Sequence, residues 1–227
     1  MDLPAHGRSP DWDPALDFHD QATAMARALF SEPMDLLGHS FGATVALRLA
    51  AERPHMVRSL TLIEPVFFAP ALADTPQRVH DHDREIAMFT QGMQSGDFES
   101  AARGFNRVWG DGTKWADFPQ ATRDYMIKRI HVVPASAPAL FDDRAGLMTP
   151  GRLEGITAPC LLIEGDQSPD VVDAVNSALA RRLPKVQRAV IKGAGHMAPI
   201  THPDAVAQVL TRFLDQAQEP VDLRAGH

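Results

Sequence analysis

The pentapeptide Gly38-His39-Ser40-Phe41-Gly42 sets a serine between two glycines, each two residues away. That spacing suits a nucleophile on a sharp turn from strand to helix, where a Cβ at either glycine position would clash. Such a turn lifts the hydroxyl clear of the sheet. It also puts the hydroxyl at a helix N-terminus, where free N–H groups favour developing negative charge. A serine hydroxyl is a weak nucleophile and needs a base. Of ten histidines, His196 is the best placed, in Lys192-Gly193-Ala194-Gly195-His196-Met197-Ala198. This glycine-rich loop follows a strand and precedes the last helix, so it can carry an imidazole back across the strand ends to Ser40. His202, before Pro203, reads as a helix-entry residue. His39, His55, His80, His82, His131 and His227 offer no sequence argument for a role. No histidine pair has zinc spacing with a third ligand, so neither a metal nor a cofactor is expected.

Four short apolar runs must position these groups. They are Met34–Leu37, Ser59–Ile63, Cys160–Glu164 and Val186–Ile191, each stopped by glycine or proline or within two residues of one. Helical stretches separate them. Ala43 to Glu52 is rich in helix formers and ends at Arg53-Pro54. His19 to about Phe30 precedes the first strand. Val171, Val172, Val175, Ala178 and Leu179 form one stripe at helical spacing; Val206, Val209, Leu210, Phe213 and Leu214 form another, opened by Pro203 and Asp204. Apolar strands alternating with helices predict an α/β fold, a mostly parallel sheet flanked by helices.

One connection is far too long for a crossover. About 94 residues lie between Glu64 and Pro159, where roughly 10–12 suffice. Phe98, Ala101, Ala102, Phe105, Val108 and Trp109 repeat at helical spacing there, as do Tyr125, Met126 and Ile130. The expectation is a helical cap over residues 69–150, inserted into a core made of 1–68 and 151–227. It should lie over the strands' C-terminal ends, where open α/β sheets hold their ligands. Trp109, Trp115, Phe67 and Phe68 read as core rather than as pocket wall.

The composition narrows the partners. The 227 residues are 44% apolar, 22% charged and 7% aromatic, which suits one substantial core. A net charge of -7 with no basic cluster argues against nucleic acid. No apolar run approaches a membrane span and no signal peptide is visible, so the expected compartment is the cytoplasm. The single cysteine, Cys160, excludes an internal disulfide and sits inside a strand as a small core residue. The remaining partner is a small-molecule substrate.

Asp2-Leu3-Pro4-Ala5-His6-Gly7-Arg8-Ser9, Gly38-His39-Ser40-Phe41-Gly42 and Gly193-Ala194-Gly195-His196, in this order, resemble the α/β-hydrolase fold superfamily over nearly the whole chain. The resemblance implies a Ser-acid-His triad in that chain order, with Ser40 as nucleophile and His196 as general acid and base. It also implies one oxyanion-hole donor, the backbone N–H of Phe41. The family usually carries the acid on the third residue beyond the turn glycine Gly165, which here is Ser168. Some members carry it at the end of the preceding strand, where Glu64 stands. Glu64 leads, with Asp166 close behind and Asp170 third. The implied activity is hydrolysis of an ester or similar acyl bond of a small apolar compound; the competing expectation is a non-catalytic binding protein on the same fold.

In the family, the segment that matches Asp2–Ser9 follows the fourth strand of an eight-stranded sheet. The strands before it, and the loop that supplies a second oxyanion donor, have no counterpart in this sequence. The expectation is a truncated chain with the Met34–Leu37 strand as an exposed edge, prone to self-association.

Overall fold

The computed structural model describes residues 1–218; His227 lies outside the described residues. The chain runs α1 (Phe18–Arg27), β1 (Met34–His39), α2 (Phe41–Glu52) and β2 (Val57–Ile63). Six helices follow: α3 (Ala69–Asp74), α4 (Pro76–Glu85), α5 (Ala87–Ser95), α6 (Phe98–Trp109), α7 (Gln120–Arg129) and α8 (Val132–Leu140). Then come β3 (Cys160–Gly165), α9 (Asp170–Ala180), β4 (Val186–Ile191), α10 (Ala198–Thr201) and α11 (Pro203–Gln218). All four apolar runs read from the sequence are strands.

The sheet is parallel, in the order β1-β2-β3-β4. This is the α/β fold expected. Its two faces follow from the two-residue period of a strand. Leu60, Leu62, Cys160 and Leu162 share one apolar cluster with Ala43 and Leu47 of α2 and Val172 and Val175 of α9. Ile63, Leu161 and Ile163 point the other way, onto Val206 and Phe213 of α11. Both faces of the central strands are therefore covered, which is why β2 and β3 read as nearly continuous apolar runs. β1 and β4 are the edges. Among the described residues nothing pairs with the outer side of β1, where Leu37 is 52% exposed.

The register brings the strand ends level. His39 pairs with Ile63, Ile63 with Ile163, and Gly165 with Ile191. The ladder continues one step past the strands, since Ser40 N–H donates to Ile63 O (2.9 Å) and Glu64 N–H to Ile163 O (2.8 Å). Residues 40, 64 and 166 thus leave the sheet along one rim.

The helical insertion is tied into the core and is not a separate globule. Phe68, Ala69, Ala71, Val79, Trp109 and Leu140 belong to the same apolar cluster as β2 and β3. Helices α3 and α4 pack on α9. Arg78 of α4 grips the start of α9: its Nε donates to Asp170 Oδ2 (2.5 Å) and its Nη1 to Asp173 Oδ2 (2.7 Å).

Candidate active site

The turn after β1 has the strained backbone that the glycine spacing foretold. Ser40 sits at φ 55°, ψ -124°, a conformation that costs a non-glycine residue about 1–3 kcal/mol. A Cβ on Gly38 would lie 2.3 Å from Gly42 O, so only glycine lets the helix start so close to the strand; at Gly42, where a clash was also expected, a Cβ would meet nothing within 4 Å. Ser40 stands at the N-cap of α2. The N–H groups of Phe41 and Gly42 open the helix and so have no intrahelical acceptor.

The histidine loop returns to the serine as expected. His196 is 5% exposed, and its Nε2 lies 2.9 Å from Ser40 Oγ. Its Nδ1 lies 3.2 Å from Glu64 Oε2. A carboxylate only accepts, so Nδ1 carries the proton and Nε2 presents its lone pair to the serine hydroxyl. Behind the imidazole loop, Gly165 must be glycine as well, because a Cβ there would meet Ala194 O at 2.0 Å.

Of the three carboxylates considered as the acid, the structure brings only Glu64 to His196. Glu64 is fully buried and holds the left-handed conformation, φ 51°. Its other oxygen, Oε1, accepts from the Gly165 N–H (2.6 Å) and the Ser168 hydroxyl (2.7 Å). Three donors therefore compensate one buried charge, as burial requires. Asp166 is exposed, and its Oδ1 instead accepts from the N–H of Gly193 (2.6 Å), closing the turn between β3 and the histidine loop. Asp170 is spent on Arg78. Ser168, the third residue after Gly165, thus donates its hydroxyl to Glu64.

Two histidines without a sequence argument take part. The Nε2–H of His39 donates to the carbonyl of His196 (2.8 Å), and the two rings lie 5.1 Å apart. Burial, and then the neighbouring His196, hold the His39 imidazole below the usual histidine range, so it stays neutral. His82 is 2% exposed. Its Nδ1–H donates to Glu85 Oε2 (3.0 Å), and it meets Trp109 edge-on at 4.9 Å. Trp109 in turn meets His196 at 4.5 Å. The only signal for His39 was its place beside the nucleophile; His82 had none.

Ser40 opens on a cavity of about 380 Å³, walled chiefly by apolar side chains. Phe18, Phe41, Phe68, Trp109, Val132 and Leu140 are among them. Trp109 and Phe68, read from the sequence as core, are core on one side and wall on the other. Phe67 is fully buried as expected, and Trp115 lines a different cleft. Helices α4 to α8 all contribute to the cavity, through residues from His82 to Leu140. Among the described residues no group of three His, Cys, Asp or Glu side chains could hold a metal ion, and no helix is long and apolar enough to cross a membrane.

Comparison with known proteins agrees with this architecture. The N-formylmaleamate deformylase of Pseudomonas putida is 28% identical over 221 residues, covering 95% of this chain and 77% of that protein. The pimeloyl-(acyl-carrier protein) methyl ester esterase of Neisseria meningitidis is 27% identical over 234 residues, covering 95% of this chain and 67% of the relative. An alpha/beta hydrolase enzyme from a Medee basin deep-sea metagenome library shares the fold, with a TM-score of 0.64 at 18% identity over 98% of this chain and 80% of that one. The model of the alpha/beta hydrolase family matches residues 1–209, and the chain belongs to that family.

Proposed function

We propose that the chain is a serine hydrolase that cleaves an ester, or a similar acyl bond, of a small and largely apolar substrate. The observation that carries this reading is the continuous relay Ser40 Oγ–His196 Nε2 (2.9 Å), His196 Nδ1–Glu64 Oε2 (3.2 Å), opening on a mostly apolar cavity. Ser40 Oγ attacks the carbonyl carbon while His196 Nε2 takes its proton. Glu64 stabilises the imidazolium, which is why its buried charge is worth keeping. The N–H of Phe41, at the positive end of α2, meets the oxyanion. His196 then returns the proton to the leaving group, and a water activated by the same imidazole releases the acyl group. The helical insertion acts as the cap that confines the substrate over Ser40. The relatives' names, a deformylase and a methyl ester esterase, fit acyl-bond hydrolysis.

The test is covalent labelling by a neutral fluorophosphonate together with hydrolysis of p-nitrophenyl butyrate. Labelling at Ser40 should vanish in Ser40→Ala and fall sharply in His196→Ala. A folded wild-type protein that takes no label and turns over no ester would be a binding protein on this fold, and the proposal would be wrong.

A further inference from the structure

We infer that Arg129 anchors a carboxylate on the substrate, so that the preferred substrate is a half-ester, or a related half-acyl derivative, of a small dicarboxylic acid. The inference rests on the hydrolase reading for the position of the reacting bond. Its other support is independent of that chemistry.

The cavity over Ser40 has mostly apolar walls, yet Arg129, the last residue of α7, is one of them. A guanidinium beside so much apolar surface needs compensation. Arg48, Arg78, Arg182 and Arg188 each face one or more carboxylates. Arg129, like Arg103, Arg107 and Arg152, faces none within 4 Å among the described residues, but among them Arg129 alone lines the cavity over Ser40. What it has instead fixes its direction. The Nε–H donates to the carbonyl of Ala5 (2.6 Å), and the guanidinium lies over the Tyr125 ring at 3.8 Å. Ala5 itself is locked, with φ 62° and its N–H on Pro10 O (2.8 Å).

These contacts use one of the five N–H groups and hold the plane of the fork. The Nη–H groups of this cavity-lining residue have no partner among the described residues, and a guanidinium with both Nη atoms unused can donate bidentately to a carboxylate. A cavity of about 380 Å³ that holds both this pair and Ser40 fits one small molecule. The acyl carbon then sits at Ser40, and a second, unesterified carboxylate sits at Arg129.

The test uses two probes of equal length, monomethyl adipate and methyl hexanoate, and calorimetric binding to the Ser40→Ala chain. The anionic ester should bind about tenfold to a hundredfold more tightly, as expected for a charge-assisted bond. In Ser40→Ala/Arg129→Gln the preference should collapse to less than about threefold. Ser40→Ala/Arg129→Lys keeps the charge but not the fork, and should fall between. Equal binding of the two esters, no measurable binding of either, or a preference that survives Arg129→Gln would each overturn the inference. Circular dichroism of each variant confirms folding, and the Lys variant carries the test if the Gln variant does not fold. Failure of fluorophosphonate labelling in the wild type would strike the hydrolase reading alone, since the binding experiment needs no turnover.

Discussion

Glutamine in place of Glu64 isolates what the buried acid does. Oε1 of Glu64 accepts from the Gly165 N–H (2.6 Å) and the Ser168 hydroxyl (2.7 Å). A glutamine must keep its carbonyl oxygen there, because an NH₂ would face the fixed backbone donor of Gly165. Its NH₂ then points at His196 Nδ1, 3.2 Å away in the native protein. Two donors cannot share that contact, so the imidazole proton moves to Nε2. Nε2–H now faces Ser40 Oγ at 2.9 Å and can no longer take its proton. Inverting the tautomer in this way lowers kcat by about 10⁴ in serine proteases, or about 5 kcal/mol at 1.36 kcal/mol per decade. The side chain keeps its volume and both bonds at Oε1, so stability should fall by only about 1–2 kcal/mol. Hydrolysis of p-nitrophenyl butyrate and the rate of fluorophosphonate labelling measure the first loss, and the Tm measures the second. Asp166→Asn, whose side chain meets the Gly193 N–H and the neighbouring Gln167 amide, should cost less than about tenfold. The reasoning is refuted if Glu64→Gln stays within tenfold of wild type, or if Asp166→Asn is the variant that loses a thousandfold.

Other consequences are as direct. Gly38→Ala puts a Cβ 2.3 Å from Gly42 O and 2.6 Å from Ala43 Cα, both backbone; thermal denaturation should show a loss of about 1–3 kcal/mol or more, and an unchanged Tm would contradict the packing described. Burial, and secondarily Arg48, lower the His19 pKa from 6.5 to about 4. The folded state therefore refuses a proton that the unfolded chain accepts. The stability from this site is complete above pH 6.5 and is lost as the pH falls towards 4, by about 3 kcal/mol in all. Urea unfolding at pH 7 and 4.5 should show that loss in wild type and much less of it in His19→Gln; equal losses would exclude His19 as the source. Burial pushes the Cys160 thiol up to about 12, so iodoacetamide should leave the native protein unmodified at neutral pH and alkylate it in urea. Rapid native alkylation would mean that β3 opens.

The four strands were legible because each is an apolar run that ends at or near glycine or proline, and burial on both faces leaves little else for β2 and β3 to be. The nucleophile turn was legible because its steric demand falls on a glycine two residues before the serine; Gly42 helped mark the turn although a Cβ there would meet nothing within 4 Å. Glu64 could be ranked but not chosen from sequence, because the choice depends on the register that sets Ile63 beside Ile163 and so puts residue 64 level with residue 40. The hydrogen bond from Ser168 to Glu64 spans 104 positions and left no local trace. Helical spacing in the insertion identified apolar faces but not their partners, so Phe68 and Trp109 could not be seen as both core and wall. Helix α4, Pro76–Glu85, has almost no apolar stripe; ion pairs through Arg78 supplement the few apolar contacts that hold it.

That clamp divides the walls of the cavity over Ser40 into two groups. Arg78 ties α4 to the first turn of α9, and α9 is itself sealed against the sheet by Val171, Val172 and Val175. The front of the insertion is therefore tethered to the sheet through α9. The residues of α5 to α8 that line the cavity, Arg129 among them, lie beyond that tether, while His82 stands within it.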